Sequence, residues 1–291
     1  MEIRPVDLPS MRDALLSNMD TRAWKARELL GGLAYVADAE LFHVSAEMTS
    51  LAAAAAASMP EYAIAKSDLP AHTGLVYFAT PLAYVTFAPG HKIALSGVSW
   101  TPMIDSGRYG VELVLHAGRD ETISVNEFTE AEAEAVRRGW SRLQPSARHF
   151  LAFDESIHEH PKSVVHEGVT GDFGAQAVEI AKQVVTTWNL MSQPLAVNAE
   201  ARYDRASIRR LAREGKQPAP VRVISLRRPP GESTGGSSER GHHHQWVVRG
   251  HWRQQWYPAR QVHRPVWIAP HIKGPEGAPL LGGEKVYALR R

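Results

Sequence analysis

The chain is 291 residues long, 44% hydrophobic and 22% charged, with a formal net charge of +2 and no cysteine. Such a composition suits a globular protein that buries a sizeable core as one large domain or two modest ones. It excludes disulfides, thiolate metal sites and cysteine nucleophiles. No stretch approaches the roughly 20 apolar residues of a membrane span, and the opening Glu2, Arg4 and Asp7 leave no apolar signal core, so a cytoplasmic location is expected.

In chain order, Ser10 is expected to cap a helix running to the Gly31-Gly32 stop, and Ser45 a second helix through the alanine tract that Pro60 ends. Gly74 to Ala79, Lys92 to Trp100 and Gly110 to Ala117 are short, β-branched or aromatic, and bounded by turn residues. They predict antiparallel strands joined by hairpins. Thr129 and Glu132 have the spacing of a capping box for a helix to about Leu143. From Asp172 to about Gln193, Phe173, Ala177, Ile180, Val184, Trp188 and Met191 recur at spacings of three and four, the stripe of a helix lying on a core.

A short basic helix is expected from Tyr203 to about Glu214, with Asp204 near its start and Arg202, Arg205, Arg209 and Arg213 on one side. Beyond Pro218 and Pro220, four segments predict a C-terminal antiparallel sheet: Val221 to Arg228, Gln245 to Trp256, Pro265 to Ile268 and Lys285 to Leu289. The Gly/Ser-rich link from Pro229 to Gly241 is expected to be mobile. The expected fold class is therefore α+β, with helices around an antiparallel sheet, then a basic helix and a C-terminal antiparallel sheet. The expected organisation is an acidic region over residues 1–200 and a basic one over 201–291, either as separate domains or on one shared core.

Charge divides along the same line. Residues 201–291 hold 18 Lys and Arg against 6 Asp and Glu, whereas residues 1–200 hold 15 against 25. A nearly neutral total thus conceals a net of −10 followed by +12. Segregation of this kind points to a polyanion as partner for the basic part. The basic helix also has an intramolecular alternative, docking on the acidic region, and a salt-sensitive self-association would follow from the same asymmetry.

Alternation in the segment from Gln245 places Arg249, His251, Arg253 and Gln255 on one face and Trp246, Val248, Trp252 and Trp256 on the other. Arginine matches phosphate bidentately and stacks on bases, and such a face with aromatic neighbours suits single-stranded nucleic acid. Candidate nucleic-acid contacts are Arg209, Arg213, Arg249, Arg253, Arg264 and Lys273, with Trp252 and Trp256 as stacking residues. The competing reading makes the tryptophans core and the arginines a solvated face. His251, with His263 or His271 as second proton carrier, has the residue types of a metal-independent ribonuclease, which needs a base, an acid and cations around the phosphate.

His158-Glu159-His160 beside Asp154 and His166, and the triplet His242-His243-His244, lack the supported four-ligand set of a zinc site. No metal and no cofactor are expected. Glycine-rich phosphate loops, a dinucleotide fingerprint, His-Glu-x-x-His and Gly-x-Ser-x-Gly are all absent from the sequence.

One resemblance adds context. The run Trp246-Val247-Val248-Arg249-Gly250-His251-Trp252-Arg253-Gln254-Gln255-Trp256-Tyr257-Pro258, then His263-Arg264, Trp267-Ile268-Ala269-Pro270-His271 and Lys273-Gly274-Pro275, resembles a pattern found in uncharacterised proteins of actinobacterial genomes, phages and mobile elements. It covers roughly residues 221–291 and carries over no catalytic residues. It implies nucleic-acid handling, host interference or toxin–antitoxin biology. The expected function is a nucleic-acid-binding protein favouring RNA or single-stranded DNA. The alternatives are a toxin-type endoribonuclease and a module that binds an acidic protein partner or another copy of itself.

Overall fold

The computed structural model describes residues 3–20, 33–87, 91–125, 128–158, 162–165, 173–227, 244–259 and 261–275. The chain forms two compact units, residues 1–227 and 228–291. The first unit thus extends past residue 200, through the basic helix and the strand beyond it.

Unit one is built on a nine-stranded mixed sheet. Its strands are β1 (Glu40–Val44), β2 (Gly74–Phe78), β3 (Ala83–Phe87), β4 (His91–Asp105), β5 (Arg108–Gly118), β6 (Leu143–Ala152), β7 (Lys162–Val165), β8 (Ala196–Glu200) and β9 (Val221–Leu226), in the order β7-β6-β5-β4-β2-β1-β9-β8 with β3 on β4. The helices are α1 (Leu8–Asp20), α2 (Ala46–Ala56), α3 (Arg119–Val125), α4 (Glu130–Gly139), α5 (Phe173–Met191) and α6 (Arg205–Arg213).

The expected hairpins β2–β4 and β4–β5 are antiparallel, but β1 runs parallel to both β2 and β9. Parallel neighbours need a crossover, and α2, the alanine tract, lies in the connection between β1 and β2. Strand β9, expected in a C-terminal sheet, instead lies beside β1 with Leu41 opposite Val221. Its pairing buries Val221 and Ile224 completely, which a two-stranded ribbon does not provide.

Local signals set the helix starts. Ser45 accepts from Met48 N at the head of α2, and Thr129 and Glu132 close the capping box of α4. The first helix starts at Leu8, with Ser10 inside it, because Pro5–Asp7 already turn as a 3-10 segment. Its expected stop at Gly31-Gly32 lies outside the described residues. The helix α4 ends at Gly139, short of Leu143, because Leu143 opens β6 and is fully buried there.

The sheet is covered on both faces. On one, α5 applies Ala177, Ile180, Val184 and Trp188, and the Trp100 ring sits between Phe42 (5.6 Å) and Trp188 (5.2 Å). On the other, Leu8, Met11 and Leu15 of α1 pack over Leu41, Leu75, Val114 and Val221.

Trp100 is completely buried and stands opposite Gly74, where a Cβ would run into the indole ring. Gly74→Ala should therefore force this side chain off its rotamer and destabilise the protein by about 1–3 kcal/mol, as overpacking does. A urea midpoint unchanged from wild type would show that the ring has room to move.

The α1 face also buries polar groups. Ser99 Oγ lies 3.0 Å from Tyr35 Oη and 2.9 Å from His116 Nε2. Nearby in the same sheet, Arg148 Nε donates to Glu112 Oε1 at 2.8 Å. Burial pushes the Tyr35 phenol above its usual range and the imidazoles of His116 and His149 down to about 3 and about 4.

Candidate nucleic-acid interface

Unit two contains an antiparallel ribbon. β10 (Trp246–Val248) pairs with β13 (His271–Lys273), and β11 (His251–Tyr257) pairs with β12 (Val262–Ile268). The single strand expected from Gln245 to Trp256 is interrupted at Arg249-Gly250. The interruption lies across from Ala269-Pro270, and proline has no N–H to give to a ladder. Register nevertheless continues through the break. From Val248↔His271 to His251↔Ile268 both chains advance by three residues, so no residue is inserted on either side.

The ribbon therefore keeps its alternation, and period two assigns two faces. One carries Arg249, His251, Arg253, Gln255 and Tyr257, with Arg264 and Val266 from the opposing strand. Arg249, His251, Arg253 and Tyr257 are exposed. The other carries Trp246, Val248, Trp252, Gln254 and Trp256, with His271, Trp267, Pro265 and His263 opposite.

Trp252 meets Trp267 edge-on at 5.3 Å, and Trp267 is only 6% exposed. An aromatic pair of this kind adds about 0.5–1.5 kcal/mol beyond its buried area. Gly250 gives the Trp267 ring its place, because a Cβ there would run into it. Trp252 is thus an anchor of the ribbon. Trp256 is 43% exposed near the turn and lies 4.8 Å from the His263 ring, and Tyr257 beside it is 40% exposed. Of the two expected stacking tryptophans, Trp256 is the accessible one. Tyr257 shares the arginine face, where alternation places it and the pairing with Val262 keeps it.

Arg253, His251 and His271 are held by short local contacts. Arg253 Nη2 donates to Gln255 Oε1 at 2.7 Å, which aims the guanidinium along its own face. His251 Nδ1 donates to Arg249 O at 3.1 Å, and His271 Nδ1 to Ala269 O at 3.0 Å. Each of these bonds fixes the neutral tautomer with Nε2 as the acceptor.

The three candidate acid–base histidines are not brought together. His251 lies on the arginine face, whereas His263 and His271 lie on the tryptophan face at opposite ends of the ribbon. Lys273, opposite Trp246, is exposed on that same second face.

Unit one carries the remaining candidates on α6. Asp204 caps this helix through Ser207 N (2.7 Å), and Ser207 and Leu211 face inward. Arg202, Arg205, Arg209 and Arg213 are all exposed. The two cations on the inner side are used within the fold: Arg210 Nη2 lies 3.1 Å from Asp7 Oδ1, and Lys216 Nζ 3.1 Å from Asp13 Oδ2. The two expectations for this helix thus divide between its sides, docking on the acidic region inward and exposed arginines outward, Arg213 Nε donating to Arg209 O at 3.3 Å.

Asp7 also takes Arg4 (3.3 Å) and lies 3.9 Å from Arg142. Partial burial alone would push its pKa up, yet the hydrogen bonds from Arg4 and Arg210 outweigh that and hold it below the usual carboxylate range. A depressed carboxylate contributes stability above its unfolded value that is lost as pH falls through the folded one. Asp7→Asn should cost about 1–2 kcal/mol at neutral pH, since its partners are half exposed and screened. Chemical denaturation in high salt should shrink that difference.

Among the described residues, no group of three or more His, Asp and Glu is placed to hold a metal. His158 Nε2 donates to Pro60 O at 3.1 Å. Glu159, His160, His166, His242 and His243 lie outside the described residues, as does the expected strand Lys285–Leu289. Among the described residues, no helix is long and apolar enough to cross a membrane.

No family model matches this chain, and no curated protein matches it. Among solved structures it is similar to one titled "Crystal structure of AcrVA2", at 15% identity and a TM-score of 0.40, covering 92% of this chain and 86% of that one.

Proposed function

We propose that the protein binds nucleic acid, with RNA or single-stranded DNA preferred over duplex. The observation that carries this reading is the exposed ribbon face on which Arg249, His251, Arg253 and Tyr257 stand with Arg264. The guanidinium groups of Arg249 and Arg253, four residues apart along the chain, and of Arg264 across the ribbon offer successive forks to phosphate oxygens. Trp256 and Tyr257 near the turn offer π-faces to unpaired bases, which a duplex keeps stacked. Arg209 and Arg213 on α6 add cations from the first unit, and Lys273 adds one on the second ribbon face. The resemblance of the Trp246–Pro275 pattern to phage and mobile-element proteins fits such a role.

A titration against labelled single-stranded RNA, single-stranded DNA and duplex DNA at two salt concentrations tests this, with products separated afterwards on a denaturing gel. Salt-sensitive retention of intact single strands is expected. Absence of binding at low salt would overturn the proposal and leave the arginines to an acidic protein partner. Shortened RNA would instead favour an endoribonuclease centred on His251.

A further inference from the structure

We infer that the protein holds one nucleic-acid strand at two places, the ribbon face of unit two and the outer arginine ladder of α6 in unit one. This rests on the proposed nucleic-acid binding. Arg205, Arg209 and Arg213 recur every fourth residue, so they stand on one side of the helix, with Arg202 just before it. All four are exposed. None of the four has a carboxylate within 4 Å among the described residues, whereas their inward neighbours Arg210 and Lys216 both do.

The arrangement is unfavourable in isolation. Like charges at i,i+4 repel, and Arg205 in the first turn opposes the positive end of the helix dipole. Asp204 relieves part of this from the N-cap, but its carboxylate is committed to Ser207 N and lies 3.7 Å from Arg4. A polyanion laid along the ladder relieves the rest. Eight residues of helix span about 12 Å, a length that carries about three phosphates of one strand.

The ladder belongs to residues 1–227 and the ribbon to residues 228–291, so each is a separate cationic surface on a separately compact unit. Because one chain joins them, a strand bound at either surface meets the other at a raised effective concentration. The gain in affinity needs no further contact. The substrate class that follows is a single strand long enough to reach both surfaces, bound more tightly than a short one of the same sequence.

The test uses the full chain and labelled oligouridines about 8 and about 40 nucleotides long at low salt, a contrast chosen because avidity needs both sites to be spanned. Wild type should bind the long strand about a hundredfold more tightly, beyond the few-fold gain from extra registers. Arg205→Ala, Arg209→Ala and Arg213→Ala together should remove most of that advantage, lowering long-strand affinity far more than short-strand affinity. Alanine favours the helix and these side chains are exposed, so circular dichroism should be unchanged. An undiminished long-strand advantage in the triple variant would overturn the two-site inference while leaving the ribbon reading intact. If Arg253→Ala with Arg264→Ala changes neither affinity, the ribbon reading fails, and the two-site inference with it.

Discussion

Replacing Arg253 and Arg264 together by alanine should weaken binding of single-stranded RNA by about one to two orders of magnitude at low salt. Both lie on one face of the ribbon, Arg253 on β11 and Arg264 across from Gln255 on β12. Each phosphate neutralised on a single strand contributes about 0.7 to the slope of log affinity against log salt, so losing two cations should flatten that slope by about 1.4. Trp252 and Trp267 hold the ribbon from the other face, so the double variant should keep its tryptophan emission and thermal midpoint. Lowered affinity with an unchanged slope would assign these arginines to a positioning role rather than to phosphate.

Acidification should produce a comparably large loss of stability well before ordinary carboxylates titrate. Burial depresses the His116 imidazole to about 3 and that of His149 to about 4, from an ordinary value of 6.5. The native state keeps both imidazoles neutral, so the unfolded chain binds more protons throughout the interval below 6.5. Their contribution is complete above the unfolded value and drains away as pH falls toward the folded ones. One pH unit corresponds to about 1.4 kcal/mol for a group protonated only in the unfolded chain. At pH 5 each histidine should therefore cost about 2 kcal/mol, a large share of a typical 5–15 kcal/mol.

His116→Gln puts a non-titrating amide where the imidazole faced Ser99 and removes the titration. It should make urea-derived stability fall less steeply between pH 7.5 and 5, even if the variant starts lower. Equal slopes for wild type and variant would show that water reaches the His116 site. Asp7 extends the acid loss below the carboxylate range, where its pairs with Arg4 and Arg210 break.

Much of the local structure was legible because its causes are local. Ser45, Thr129 with Glu132, and Asp204 each cap a helix through a partner three residues away. The three-and-four spacing of Ala177, Ile180, Val184 and Trp188 marked the buried side of α5. The alternation from Gln245 onward separated arginines from tryptophans, and it holds because no residue is inserted at Arg249-Gly250. Strands β1, β6 and β8 carried weaker signals. His43, Gln144 and His149 stand at buried positions that a search for apolar alternation passes over.

The sequence by itself determined the segregation of charge, the caps and the two-faced chemistry of the ribbon, since all three depend on neighbours a few residues apart. Tertiary structure alone decided that β9 joins β1, with Val221 against Leu41. It also turned Arg210 and Lys216 inward to Asp7 and Asp13, left Arg205, Arg209 and Arg213 exposed without a carboxylate partner among the described residues, and separated His251 from His263 and His271. Each of those outcomes depends on which distant segment pairs with which. Burial and strand register fix that choice, and neither is encoded in the spacing of any one segment.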